Sequence, residues 1–172
     1  QRANHTLSRV YLALAEGHWT NQSKSGLIDR PIEKVPECFN RYQVADTGRP
    51  SRTEYEVLSE FTYEETPFSL VRLKLQTGRT HQIRVHMASL YHPLLGDSIY
   101  GHEGFLGFDR AALHSFEITC QLPGHQDLAV FSSEMPEDFQ KMIVESKKLP
   151  PRLFDNAIII HVKNSGSLTS FK

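Results

Sequence analysis

Apolar and polar positions along this chain alternate in blocks that predict a short list of elements. Val10 to Ala15 is an apolar run with a β-branched start, closed by Glu16 and Gly17, and predicts a buried strand. Asn21 to Gly26 is a polar loop, followed by Leu27 and Ile28 and then by Pro31, which limits continuation. Thr53, Tyr55 and Val57 alternate with polar residues, and Leu70, Leu73 and Leu75 sit in a run rich in Val and Leu. These predict two antiparallel neighbours with a turn near Glu64 to Pro67. Thr80 is a candidate N-cap for a helix with Ile83, Met87 and Leu90 on one face, ending before Pro93. A glycine-rich loop region spans Tyr91 to Gly107. Phe116, Ile118, Cys120 and Leu122 alternate as a further strand, Leu128 and Val130 resume the sheet, and Pro136 suits the first turn of a helix bearing Phe139 and Ile143. Beyond Pro150 and Pro151, Ile158 to Ile160 suits a strand and Asn164 to Ser170 a flexible tail. The class is α+β, a mostly antiparallel sheet flanked by helices.

Composition changes this picture little. The chain has 172 residues, 39% hydrophobic and 23% charged, which suits one domain with a real core and argues against disorder. The formal net charge is -1, so a polyanion site would have to be a local patch. Cys38 and Cys120 have no CxxC partner; one disulfide or two reduced, packed thiols in a reducing compartment are both open, the second being the usual case. No apolar run approaches a membrane span, and the first residues show no signal peptide.

One segment carries chemistry. From Arg72 to His86 the chain holds Arg72, Lys74, Arg79 and Arg84 with two histidines and no acid. This is a compact cationic surface suited to backbone phosphates or to one buried carboxylate. On charge count alone a solvated strand face plus an N-terminal helix turn is the favoured reading. Arginines near a helix start oppose the macrodipole, however, so Arg79 and Arg84 gain little there without an anionic partner. His81, His86 and His92 invite a metal site, but they lack HExxH spacing, and His81 and His86 are five residues apart, which turns them to different sides of a helix.

The order of residues is more specific than their charge. Leu75-Gln76-Thr77-Gly78-Arg79-Thr80-His81-Gln82-Ile83-Arg84-Val85-His86, followed by His92-Pro93-Leu94-Leu95-Gly96-Asp97-Ser98-Ile99-Tyr100-Gly101, resembles the signature of the RluA-type RNA pseudouridine synthases. Arg9 to Gly17 is similar to that family's Tyr-Leu-Ala-Leu strand, Gly26 to Ile32 to its Gly-x-Ile-x-x-Pro-Ile turn, and Ala112 to Ser115 to its Leu-His-Ala segment. The resemblance runs from about Ser8 to Ile143, so residues 1–149 are expected to form part of a pseudouridine synthase catalytic domain and residues 150–172 a tail.

The resemblance implies an isomerase that detaches a uridine from its ribose at N1 and rejoins it through C5, acting on ribosomal or transfer RNA in the cytoplasm. It implies no cofactor and no metal, since the reaction needs neither redox chemistry nor a group donor. A base flipped out of the RNA needs an aromatic platform and a cationic pocket. Tyr11 matches the tyrosine that contacts the flipped base, although a strand tyrosine with a buried ring is equally familiar. Arg84 matches the arginine that pairs with the catalytic aspartate. Arg79 and His81 would contact phosphate or brace the loop, and Ile83 and Val85 would shape the pocket floor or the core. The aspartate itself belongs to a His-Arg-Leu-Asp motif ahead of the tyrosine strand, and the ten residues before Tyr11 contain no acid. Asp29, Asp97 and Asp109 read as turn and loop formers. The chain is therefore expected to be a fragment truncated at its N-terminus and inactive alone; the alternative is a non-catalytic RNA-binding module.

Overall fold

The computed structural model describes residues 7–125, 127–146 and 161–162. Nine strands, two α-helices and one short 3-10 helix (Phe105–Gly107) occur among them. They are β1 (Ser8–Glu16), β2 (Ser25–Asp29), β3 (Ile32–Lys34), β4 (Tyr42–Val44), β5 (Arg52–Tyr63), β6 (Thr66–Leu75), α1 (Gln82–Ser89), β7 (Leu113–Gln121), β8 (Leu128–Ser132), α2 (Glu137–Glu145) and β9 (His161–Val162). Seven strands form one antiparallel sheet in the order β2-β5-β6-β1-β7-β8-β9, and β3 and β4 pair separately. The α+β expectation holds. The expected strand at Ile158 to Ile160 and the flexible stretch from Asn164 lie outside the described residues.

Period-two alternation divides the core into two layers. On β1, Leu12 and Leu14 point to one face and Ala13 and Ala15 to the other. On β6, Phe68 and Leu70 join the first layer, and Val71, Leu73 and Leu75 the second. The first layer packs on Phe139, Met142 and Ile143 of α2, the second on Ile83 and Met87 of α1. The small side chains of β1 thus lie in the layer that Ile83 and Met87 of α1 also join. Tyr11 shares the parity of Ala13 and packs against the α1 layer.

Four expectations need correction at the level of elements. The stretch from Gly26 to Ile32 is not one turn but two strands, β2 and β3, separated by Arg30 and Pro31. Of β2 only Ile28 is buried, because β2 is an edge strand, and without a buried face its sequence shows no alternation. Asp29 accordingly ends a strand and pairs with Arg52 at 2.8 Å. Thr80 does not cap α1: the helix starts at Gln82, with His81 as N-cap in the left-handed region at φ 55° and no side-chain cap. Finally, Cys38 is exposed rather than packed, while Cys120 is half-buried and both thiols are free. Pro136 sits at the N-cap of α2, one position ahead of the first turn.

The β5–β6 hairpin turns through Glu64 and Glu65, both with positive φ, at 45° and 65°. Two consecutive left-handed residues make the tight turn that suits strand twist, and Asn-Gly adopts it with far less strain than two glutamates. Replacing Glu64-Glu65 by Asn-Gly should therefore stabilise the fold by about 1 kcal/mol and raise Tm by roughly 2–4 °C. Calorimetric melting checks this, and an unchanged or lower Tm contradicts it.

Candidate active site

The loop from Thr77 to His81 and the first turn of α1 are built around one side chain, Gln82, which is 2% exposed. Its Oε1 accepts the Arg79 N–H at 3.0 Å and the Thr77 hydroxyl at 2.8 Å. Its Nε2 donates to Arg52 O at 2.9 Å and to Thr53 Oγ1 at 3.0 Å. Thr77 Oγ1 also accepts the Arg52 N–H at 2.8 Å. This bonding explains why α1 starts late: the Gln82 amide, and not Thr80, occupies the donors and acceptors at the helix entrance. The Arg9 guanidinium lies over Gly78 and donates to Thr77 O at 3.2 Å, so the strand of Tyr11 closes the same turn.

The network continues inward. His86 is fully buried, with Nε2 2.9 Å from Arg30 O and Nδ1 2.9 Å from Thr53 Oγ1. A carbonyl only accepts, so Nε2 carries the proton and Thr53 donates its hydroxyl hydrogen to Nδ1. Burial holds the His86 pKa below its ordinary value and keeps this imidazole neutral. His81 is also depressed, by burial and then by the nearby Arg84 charge. His92 stacks on Trp19 with ring centroids 4.0 Å apart and hydrogen-bonds Glu16 O at 2.7 Å. The three histidines thus serve three separate places, each with a ring nitrogen engaged by the fold.

Arg84 has the anionic partner that its place near a helix start requires, and that partner is Asp97. Nε donates to Oδ2 at 2.7 Å and Nη2 to Oδ1 at 2.6 Å, a two-pronged pair. The Arg84 side chain is 18% exposed and that of Asp97 0%. Burial alone would raise the Asp97 pKa, but Arg84 and the backbone N–H groups of Ile99 and Tyr100 outweigh it and hold the carboxyl below its usual range. Asp97 was expected only to shape its loop; it does so, accepting the Ile99 and Tyr100 N–H groups at 3.0 and 3.1 Å, and it is also the counter-ion of Arg84. The Tyr100 ring lies 5.0 Å from the guanidinium. Its hydroxyl accepts the Tyr42 N–H at 2.9 Å and is hydrogen-bonded to His81 Nδ1 at 3.0 Å.

The other expected residues divide between core and surface. Tyr11 is half-buried and shares a cluster with Ile83, and a bulge in the β1–β7 pairing falls between Val10 and Tyr11. Such irregularities re-aim side chains next to sites. Ile83 and Val85 are each 4% exposed, and Ile83 is core. Arg79 is exposed, its guanidinium 3.4 Å from Pro50 O. Arg72 and Lys74 do not extend a free cationic patch, because Glu56 and Glu54 on β5 sit directly opposite, at 3.7 and 3.8 Å. Asp109 lies in an exposed bend. Gln82, Thr53 and Asp97 are the residues that sequence reasoning missed. The one available signal was that Arg84, in an acid-free segment, needed an acid from elsewhere.

With both histidines neutral in the fold, stability contributed by their burial is complete above the unfolded value of 6.5 and is lost as pH falls through it toward the lower folded pKa values. Tm should therefore drop on acidification from about pH 7.5 to 5, and a flat profile contradicts this assignment. Thr53→Val strips partners from both His86 Nδ1 and the Gln82 amide, and should cost about 1–3 kcal/mol in chemical denaturation.

Comparison with known proteins fits this geometry. The profile of a family described as RNA pseudouridylate synthase matches residues 1–89. The chain is 35% identical over 158 residues to ribosomal large subunit pseudouridine synthase D of Nitrosomonas europaea, covering 87% of this chain and 44% of that protein. It is 39% identical over 142 residues to the uncharacterized RNA pseudouridine synthase YhcT of Bacillus subtilis, covering 83% and 45%. The chain thus spans less than half the length of these relatives. Among solved structures, human RNA pseudouridylate synthase domain containing 1 superposes with a TM-score of 0.65 at 24% identity, covering 86% of this chain and 69% of that one, a likeness of fold.

Proposed function

Because this chain belongs to the RNA pseudouridylate synthase family, we propose that it forms the part of an RNA pseudouridine synthase that receives a flipped uridine, with Tyr11 and Arg84 at the reacting centre. The observation that carries this reading is the family match over residues 1–89, which includes both side chains. In the reaction the C1′–N1 bond breaks, the base turns, a C1′–C5 bond forms, and C5 loses the proton it no longer holds while N1 gains one. An aspartate acts as nucleophile at the sugar or as base at the 2′ carbon. Arg84 keeps that carboxylate ionised and oriented, and Tyr11 faces the base and assists proton transfer at C5. The aspartate's His-Arg-Leu-Asp motif is not among these 172 residues, so the reaction requires a segment that carries it.

The substrate is a uridine in structured ribosomal or transfer RNA of the cytoplasm. Relatives named ribosomal large subunit pseudouridine synthase D favour the ribosomal case. Arg79 and His81 flank the entrance and suit phosphate contact. Arg72 and Lys74 are half-exposed and paired with glutamates, which argues against a leading role in RNA binding.

In the protein carrying the aspartate segment, Arg84→Met should abolish pseudouridine formation, and Arg84→Lys should be nearly as poor because an ammonium lacks the planar fork. Nucleoside mass spectrometry after incubation with RNA reads this. Loss of Arg84 leaves Asp97 buried and unpaired at a cost of roughly 3–5 kcal/mol, so folding is checked by melting first. Arg72→Met should leave single-turnover chemistry at the parental rate. A folded Arg84→Met protein with parental turnover refutes the assignment.

A further inference from the structure

We propose that Asp97 is a positioning residue for this reaction: it occupies one edge of the Arg84 guanidinium and so determines which N–H groups remain to meet the reacting carboxylate. The inference rests on the reading of Arg84 given above. The edge formed by Nε and Nη2 is taken by Oδ2 and Oδ1. Nη1 makes no hydrogen bond among the described residues, and the Tyr100 ring packs against the guanidinium. Of the five guanidinium N–H groups, the two on Nη1 and the second on Nη2 remain, so an incoming carboxylate is directed to the edge formed by Nη1 and Nη2.

Two features show that Asp97 is built to hold a fixed position. Its Oδ1 accepts the Ile99 and Tyr100 N–H groups as well as Arg84, so the carboxylate cannot rotate without breaking several bonds. Gly96 before it has φ +68°, and a Cβ there would lie 2.4 Å from Arg110 O, so the backbone can pass here only as glycine. The same loop is tied to the strand of Tyr11: Leu95 N–H donates to Leu14 O at 2.9 Å and Glu16 N–H to Pro93 O at 2.8 Å. Asp97 thereby registers the end of a long side chain on α1 against β1, which the flexible Arg84 stem could not do by itself. A buried ion pair contributes little net stability compared with apolar packing, so orientation is the better account of its presence.

The test is Asp97→Asn in the protein carrying the aspartate segment, with Arg84→Met in parallel. Misplacing a catalytic group by about 1 Å costs roughly 100-fold, so kcat should fall by about that factor with KM within about threefold. Removing the Asp97 charge exposes the reacting carboxylate to the full charge of Arg84, so the acid limb of the rate profile should move to lower pH. A folded Asp97→Asn protein with parental kcat and pH profile overturns the proposal while leaving Arg84 in place. Parental turnover of Arg84→Met overturns the underlying reading instead. If Asp97→Asn does not fold, Asp97→Glu carries the same test, because it keeps the charge and moves it by one methylene: a kcat loss at unchanged KM supports positioning, and a parental kcat overturns it.

Discussion

A guanidinium removed from water must be met by charge and by hydrogen bonds, and meeting that demand at Arg84 organises much of this molecule. Asp97 supplies the charge, its own loop supplies N–H groups to the carboxylate, and Tyr100 covers the guanidinium face. Each of these groups comes from the loop after α1, which has to double back onto the helix it follows. The glycine at position 96, the buried Leu94 and Leu95, and the backbone bonds to β1 all serve that return. The ion pair joins helix to loop, and the loop's backbone bonds join both to the central strand.

Much of the fold was legible because local periodicity reports burial. β1, the β5–β6 hairpin and α2 each bury a face or a stripe that appears in the pattern of Leu, Val, Phe and Ile. β7 has no fully buried residue and β8 buries only Ala129, so their alternation reports strand and not burial. β2, β3 and β4 show no such pattern, because they are short and lie at an edge or outside the main sheet. Motif order singled out Arg84 and Tyr11, whereas the side chains that support Arg84 left no such trace. Gln82 works through Thr53, which is 29 residues away in the chain, and Arg84 through Asp97, 13 away. No window of hydrophobicity reports a polar side chain whose partners are distant.

The cationic stretch shows how register can reverse an inference from charge. Continued inward from the turn without interruption, the hairpin would set Tyr55 and Val57 against Lys74 and Arg72. The bulge between Val57 and Ser59 shifts the pairing by one residue, so Glu54 and Glu56 take those places and Tyr55 falls opposite Leu73. A single extra residue thus neutralises a strand surface that looks strongly basic in the sequence, and of the four cations from Arg72 to Arg84 only Arg79 lacks a carboxylate partner among the described residues.

The loop that Gln82 fastens is irregular in backbone but not independent of the sheet. Its polar links run to Arg52 and Thr53 on β5 and, through Arg9, to β1, so it has no route to open while those strands stay paired. The Arg79 N–H is held inside this network by the Gln82 carbonyl oxygen at 3.0 Å, in spite of its place in a connection between elements. Under the function proposed above, this turn would meet a nucleotide as a braced surface, and adjustment of shape would fall to the incoming RNA.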